Sequence, residues 1–142
     1  MGKKVLKFDQ ELDISLVGVA SPLKDYRLGH FFSQYVWPNI ERKEDVCLDY
    51  PKQNRTLFFS SFEFIQTHPE QKVYLLSNRS SGAFFIPSLK EFDYLILWTP
   101  GISQEDSLDF LTKIKKTPDI LEARLIKKDW IKELDRFNSF MF

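Results

Sequence analysis

The sequence predicts an α+β domain with a mainly antiparallel sheet of about five to six strands, two longer helices and a short C-terminal helix. Three observations predict it. Five segments with apolar strand patterning are set off by turns carrying Pro, Gly or Asn. Two segments with helical spacing of apolar residues each open on a serine start signal. The order strand, helix, several strands, helix, strand, helix is that of an α+β domain with a mainly antiparallel sheet and helices gathered on one face. At 142 residues the chain is sized for one domain spanning all of it.

The first run, Ile14–Val19, is β-rich and closed by Ser21-Pro22, which predicts a buried strand. Ser21 as N-cap and Pro22 as first helical residue then predict a helix to about Trp37, burying Leu23, Tyr26 and Phe31, with Leu28 and Phe32 beside them. Pro38 ends it. Glu41–Tyr50 is acidic, with a short strand expected at Asp45–Asp49 before a turn at Pro51–Asn54. Alternation in Leu57–Ile65 puts Phe58, Phe62 and Phe64 on one face of a long strand, and His68-Pro69-Glu70-Gln71 turns it back into Val73–Leu76. Pro87 stops Ala83–Ile86 from continuing as a central strand. Tyr94–Leu97 belongs to a continuous apolar run, the mark of a strand covered on both faces and a candidate sheet centre. Ser103–Asp106 resembles a capping box, and Leu108, Leu111 and Ile114 carry the second helix to Lys116. Leu121–Ile126 is the last strand, and Asp129 is placed to cap a short helix with Trp130, Ile131, Leu134 and Phe137.

Composition narrows the function classes. Lys+Arg and Asp+Glu number 20 each, so the whole chain offers no net field for nucleic acid. The basic stretch Lys113, Lys115, Lys116, Arg124, Lys127 and Lys128 is read as a solvated helix end, and the Phe-rich strand as core, so a nucleic-acid partner is not expected. Gly2, Gly18, Gly29, Gly82 and Gly101 do not write a phosphate loop or a dinucleotide fingerprint. One cysteine with His30 and His68 on separate elements predicts no metal site, and nothing predicts a cofactor or catalytic residues. Cys47 is expected as a buried structural thiol. A lone cysteine, no apolar stretch after the basic start Met1–Lys7, and no span of membrane length together predict a cytoplasmic protein.

The densest polar cluster near a strand end is Asp25, Tyr26, Arg27 and His30. Asp25 and Arg27 are two residues apart on a helix, point in different directions and cannot pair directly. The cluster is therefore a candidate binding surface whose charges look elsewhere for partners. Asp93, at the head of an apolar strand, is expected to fasten the Ser88–Glu91 turn or an arginine such as Arg27 or Arg79.

Ile86-Pro87-Ser88-Leu89-Lys90-Glu91-Phe92-Asp93-Tyr94 resembles the signature of the IPExxxVDY family of small bacterial proteins. Ile86, Pro87, Asp93 and Tyr94 fit the motif, whereas Ser88 stands for its Glu and Phe92 for its Val. Asp25–Leu28, Tyr74–Asn78 and Ile114–Pro118 are similar in order and spacing, so the likeness covers roughly Phe8 to Ile126. It implies a cytoplasmic bacterial protein and carries over no reaction and no catalytic residues. The motif itself is expected to be structural. With every catalytic pattern absent, the leading expectation is a non-enzymatic interaction or adaptor protein that binds another protein or itself as a homodimer, with Trp37, Phe140 and Phe142 as apolar patch members. The rival expectation, from a different class, is a binding protein or enzyme holding an anionic metabolite near the first strand–helix junction, where amides of the helix start would meet Arg27 or His30.

Overall fold

The computed structural model describes residues 13–66 and 70–140. Its elements are β1 (Ser15–Ala20), α1 (Asp25–Tyr35), β2 (Ile40–Tyr50), β3 (Arg55–Phe64), β4 (Lys72–Ser77), β5 (Arg79–Ser80), β6 (Ala83–Phe84), β7 (Tyr94–Thr99), α2 (Gln104–Lys115) and β8 (Glu122–Ile126). Single 3-10 segments lie at Pro51–Gln53, Pro87–Leu89, Lys128–Trp130 and Leu134–Phe140. Six strands form one sheet in the order β2-β3-β4-β7-β1-β8, and every neighbouring pair is antiparallel. The architecture is α+β. The expected start at residues 1–12, Phe142 and residues 67–69 of the hairpin turn lie outside the described residues.

Alternation divides the core into two layers. Val17, Val19, Phe62, Phe64, Val73, Leu75, Ile96 and Trp98 face one side, where Leu28 and Phe32 of α1 and Ile114 of α2 pack on them. Leu16, Leu57, Phe59, Leu76, Leu95 and Leu97 face the other, covered by Phe85, Ile86, Leu89 and Phe92 and by Ile131, Leu134 and Phe137 of the C-terminal turns. β7 lies between β4 and β1 with all but Thr99 buried, as its uninterrupted apolar run requires.

Several details differ from expectation. β2 runs eleven residues rather than five, because pairing with β3 satisfies its backbone although Glu41–Asp45 has no apolar alternation. Its charges and the register shift between Lys43 and Val46 suit an edge strand that must not recruit another. The first helix begins at Asp25, not Pro22, with Lys24 as N-cap. Ser21 is instead tied into the fold, donating from Oγ to the Asp119 carbonyl at 2.8 Å and accepting the Leu23 N–H at 3.2 Å. That helix docks on Leu28, Gly29 and Phe32, leaving Tyr26 61% exposed and Phe31 half-buried. Gly29 lies close to β2, where a Cβ would come 2.7 Å from the tip of the Ile40 side chain. Leu108 of α2 is likewise exposed, while Ser107 and Ile114 are buried. Trp37 is core rather than patch, stacked on Phe64 at 4.4 Å and on Phe110 at 5.4 Å. Cys47 is exposed, because it falls opposite the exposed Phe58 on the outer strand pair. The C-terminal helix is a run of 3-10 turns that still buries Ile131, Leu134 and Phe137.

Candidate functional site

The segment from Phe85 to Asp93 gathers around Asn78, which leaves β4 fully buried. Its backbone N–H donates to the Asp93 carbonyl and its own carbonyl accepts the Phe85 N–H, both at 2.9 Å. Its side-chain Nδ2 donates to the Leu89 and Phe92 carbonyls at 3.0 Å each, and Oδ1 accepts the Ile86 N–H at 2.8 Å. A buried turn leaves backbone groups that need partners, and one amide supplies three of them. Pro87 starts the 3-10 turn that this amide holds. Asp93 then reaches β1 and the segment after it: its N–H donates to the Val19 carbonyl, Oδ2 accepts the Ser21 N–H at 2.9 Å, and Oδ1 pairs with Arg79 Nε at 3.0 Å. Tyr94 donates its hydroxyl to the Leu23 carbonyl at 2.6 Å. Burial, helped by the negative charges of Asp25 and Asp93, pushes that phenol up to about 12. Ser88 Oγ donates to Glu133 Oε2 at 3.1 Å and accepts the Lys132 N–H at 3.2 Å, joining the turn to the C-terminal segment. Ile86, Pro87, Asp93 and Tyr94 are thus brought together, and their polar groups are spent on the fold's own backbone and on Arg79.

The helix cluster is not brought together. Asp25 turns to Arg42 of β2 at 3.5 Å and accepts the Tyr26 N–H, while Arg27 lies along the helix over the Phe31 ring at 5.9 Å. Tyr26 and His30 stand exposed on the outer side. None of the four lines the concavities at β8 or at the β5–β6 hairpin.

β8 ends the sheet and pairs only with β1 among the described residues. Leu121, just before it, is 74% exposed, and the run of partners from Leu16↔Ile126 to Ala20↔Glu122 has no register shift. Two concavities lie between the strand and α2, one towards each end. One, of about 370 Å³, lies between Leu16, Leu125 and the start of α2 at Gln104 and Ser107. The other, of about 480 Å³, lies between Leu111 and Lys115 of α2 and Leu121 and Ala123. On the side away from the helices Arg124 pairs with Glu122 and lies over the Phe92 ring at 5.8 Å. Lys113, Lys115, Lys116 and Lys127 are exposed, and Trp130 is 43% exposed just beyond, whereas Phe59, Phe62 and Phe64 are core.

Two features escaped the sequence reading. Asn78 looks like an ordinary turn residue until the carbonyls it serves are known, and only its place between β4 and a Ser/Gly turn hints at it. The β8 edge depends on strand order, which no local pattern carries. Among the described residues no helix is long and apolar enough to cross a membrane, and no group of three or more His, Cys, Asp or Glu could hold a metal ion. No protein-family model matches the chain, and no match is found among curated proteins or solved structures.

Proposed function

We propose that this chain is a non-enzymatic protein-interaction module of the bacterial cytoplasm that accepts a polypeptide along the β8 edge of its sheet. The observation that carries it is the contrast between the two edges. β2 carries a bulge and the charged run Glu41–Asp45, whereas β8 is regular, is led by the exposed Leu121 and has a concavity near each end, between it and α2. An added strand gains main-chain hydrogen bonds from such an edge, and the adjacent hollows receive its alternate side chains. The signature residues support an adaptor rather than an enzyme, because Asp93 and Tyr94 are engaged with backbone and with Arg79. The free thiol of Cys47 suits a reducing compartment. Membership of the IPExxxVDY family rests on Ile86, Pro87, Asp93 and Tyr94 in their spacing.

The test is affinity capture from a bacterial lysate with tagged wild type and Leu121→Lys. The wild type retains a polypeptide, either another protein or untagged copies of itself, and Leu121→Lys loses it. Retention of no polypeptide, or equal retention by both, rejects the module.

A further inference from the structure

We propose, building on the interaction reading above, that the strand added at the β8 edge is β8 of a second copy of this chain, in the antiparallel register centred on Ala123. The juxtaposition sets Glu122 of each copy opposite Arg124 of the other. A twofold axis perpendicular to the sheet joins each face of one copy to the same face of the other, so directly opposed residues must share a side of the strand. In β8 the alternation assigns Ala123 and Leu125 to the helix side, and Glu122 and Arg124 to the side of the Phe92 ring.

Three registers pair at least three of the five residues of β8, those centred on Ala123, Arg124 and Leu125, and charge separates them. Centred on Leu125, the two copies oppose Arg124 to Ile126 and leave Glu122 beyond the paired strands, so no opposite charges meet. Centred on Arg124, they oppose arginine to arginine. Centred on Ala123, two Glu–Arg pairs cross the interface, and opposite charges directly across antiparallel strands stabilise where like charges repel. The same register brings the exposed Leu121 against the half-buried Leu125 of the second copy, on both sides of the axis. It also puts the smallest side chain of the strand on the axis itself, where the α2 helices of the two copies come nearest. Within one chain Glu122 and Arg124 already pair along the strand, and both are half-exposed. They are therefore free to exchange partners without unburying anything. The product is one continuous sheet of twelve strands, twice the six in each copy, with its β8 edges closed.

Sedimentation velocity of the full chain over a range of concentrations tests this with two single variants, their mixture and the double variant. The wild type sediments as a dimer. Glu122→Arg and Arg124→Glu each weaken self-association by about tenfold or more, since each replaces both attractive pairs by repulsive ones. An equimolar mixture of the two variants associates again, because one copy then offers two arginines and the other two glutamates. The double variant Glu122→Arg/Arg124→Glu recovers the wild-type dimer. Both sites are on the surface, and a folded circular dichroism spectrum for each single variant excludes misfolding as the cause. A monomeric wild type, a dimer indifferent to the single reversals, or a mixture that stays monomeric overturns the proposal. If a monomeric chain still captures another protein through Leu121, the second copy is rejected and the interaction module stands. If it captures nothing, both are rejected.

Discussion

The ring of Phe92 lies against the backbone of Gly18: a Cβ built on Gly18 would come within 2.5 Å of Phe92 Cγ. The contact joins the signature segment to the middle of β1, and Arg124, the β8 partner of Gly18, reaches over the same ring. Gly18 is therefore required for space rather than for backbone freedom. Gly18→Ala is expected to cost about 1–3 kcal/mol through overpacking. Urea unfolding measures it, and in a Phe92→Val background the same substitution becomes nearly neutral. An unchanged midpoint for Gly18→Ala alone would mean that the ring can step aside.

Asn78→Ala removes the bonds made to the Ile86 N–H and to the Leu89 and Phe92 carbonyls inside the core, and of these the Leu89 carbonyl keeps the Phe92 N–H. Unsatisfied buried groups cost about 1–3 kcal/mol each, so a loss of at least about 2 kcal/mol is expected from the other two. Amide hydrogen exchange provides a second reading: Ile86 exchanges by local opening in the variant and is protected in the wild type.

Asp93→Asn keeps the shape but weakens the bond to Ser21 and removes the ion pair with Arg79, whose side chain is largely exposed. A stability loss of about 1 kcal/mol is expected, seen as a lower melting temperature, with self-association at β8 untouched. Lost association at an unchanged melting temperature would assign Asp93 to binding instead.

Tyr94 is held above its ordinary value because burial disfavours the phenolate, reinforced by Asp25 and Asp93. The folded state therefore holds this proton more tightly than the unfolded chain does. The stability it contributes is complete below pH 10 and is lost as the pH rises from 10 towards about 12. Ultraviolet titration of phenolate absorbance should lose its most alkaline step in Tyr94→Phe. That variant also forgoes the bond to the Leu23 carbonyl, at a cost of about 1 kcal/mol near neutral pH.

Cys47 is exposed on the outer edge strand. It should react with a thiol reagent in the native state without denaturant, and Cys47→Ser should leave stability within about 0.5 kcal/mol of wild type. Slow labelling that tracks global unfolding would instead mean that the thiol is covered.

Local pattern was enough for the parts of this protein that depend on local physics. The strands around Val17, Phe62, Leu75 and Ile96, the proline that breaks the strand at Pro87, the Ser103 cap that accepts the Asp106 N–H at 3.1 Å, and the antiparallel α+β class are all legible in spacing and turn residues. Periodicity states which side chains share a face; it does not state what that face meets. The helix carrying both Tyr26 and Leu28 could have docked on either, and it docks on Leu28, whose partners in the core come from strands far away in sequence. Trp37 became core only because Phe64 and Phe110 arrive from distant parts of the chain to sandwich it. Cys47 was left outside because β2 occupies an edge, and Asn78 became the centre of the signature turn because the carbonyls of Leu89 and Phe92 converge on it. Burial and hydrogen-bond satisfaction belong to pairs of residues far apart in sequence, so only the tertiary structure could decide them. The β8 edge is of the same kind: its residues were readable as a strand, but which strand lacks a neighbour among the described residues is set by the order of the whole sheet.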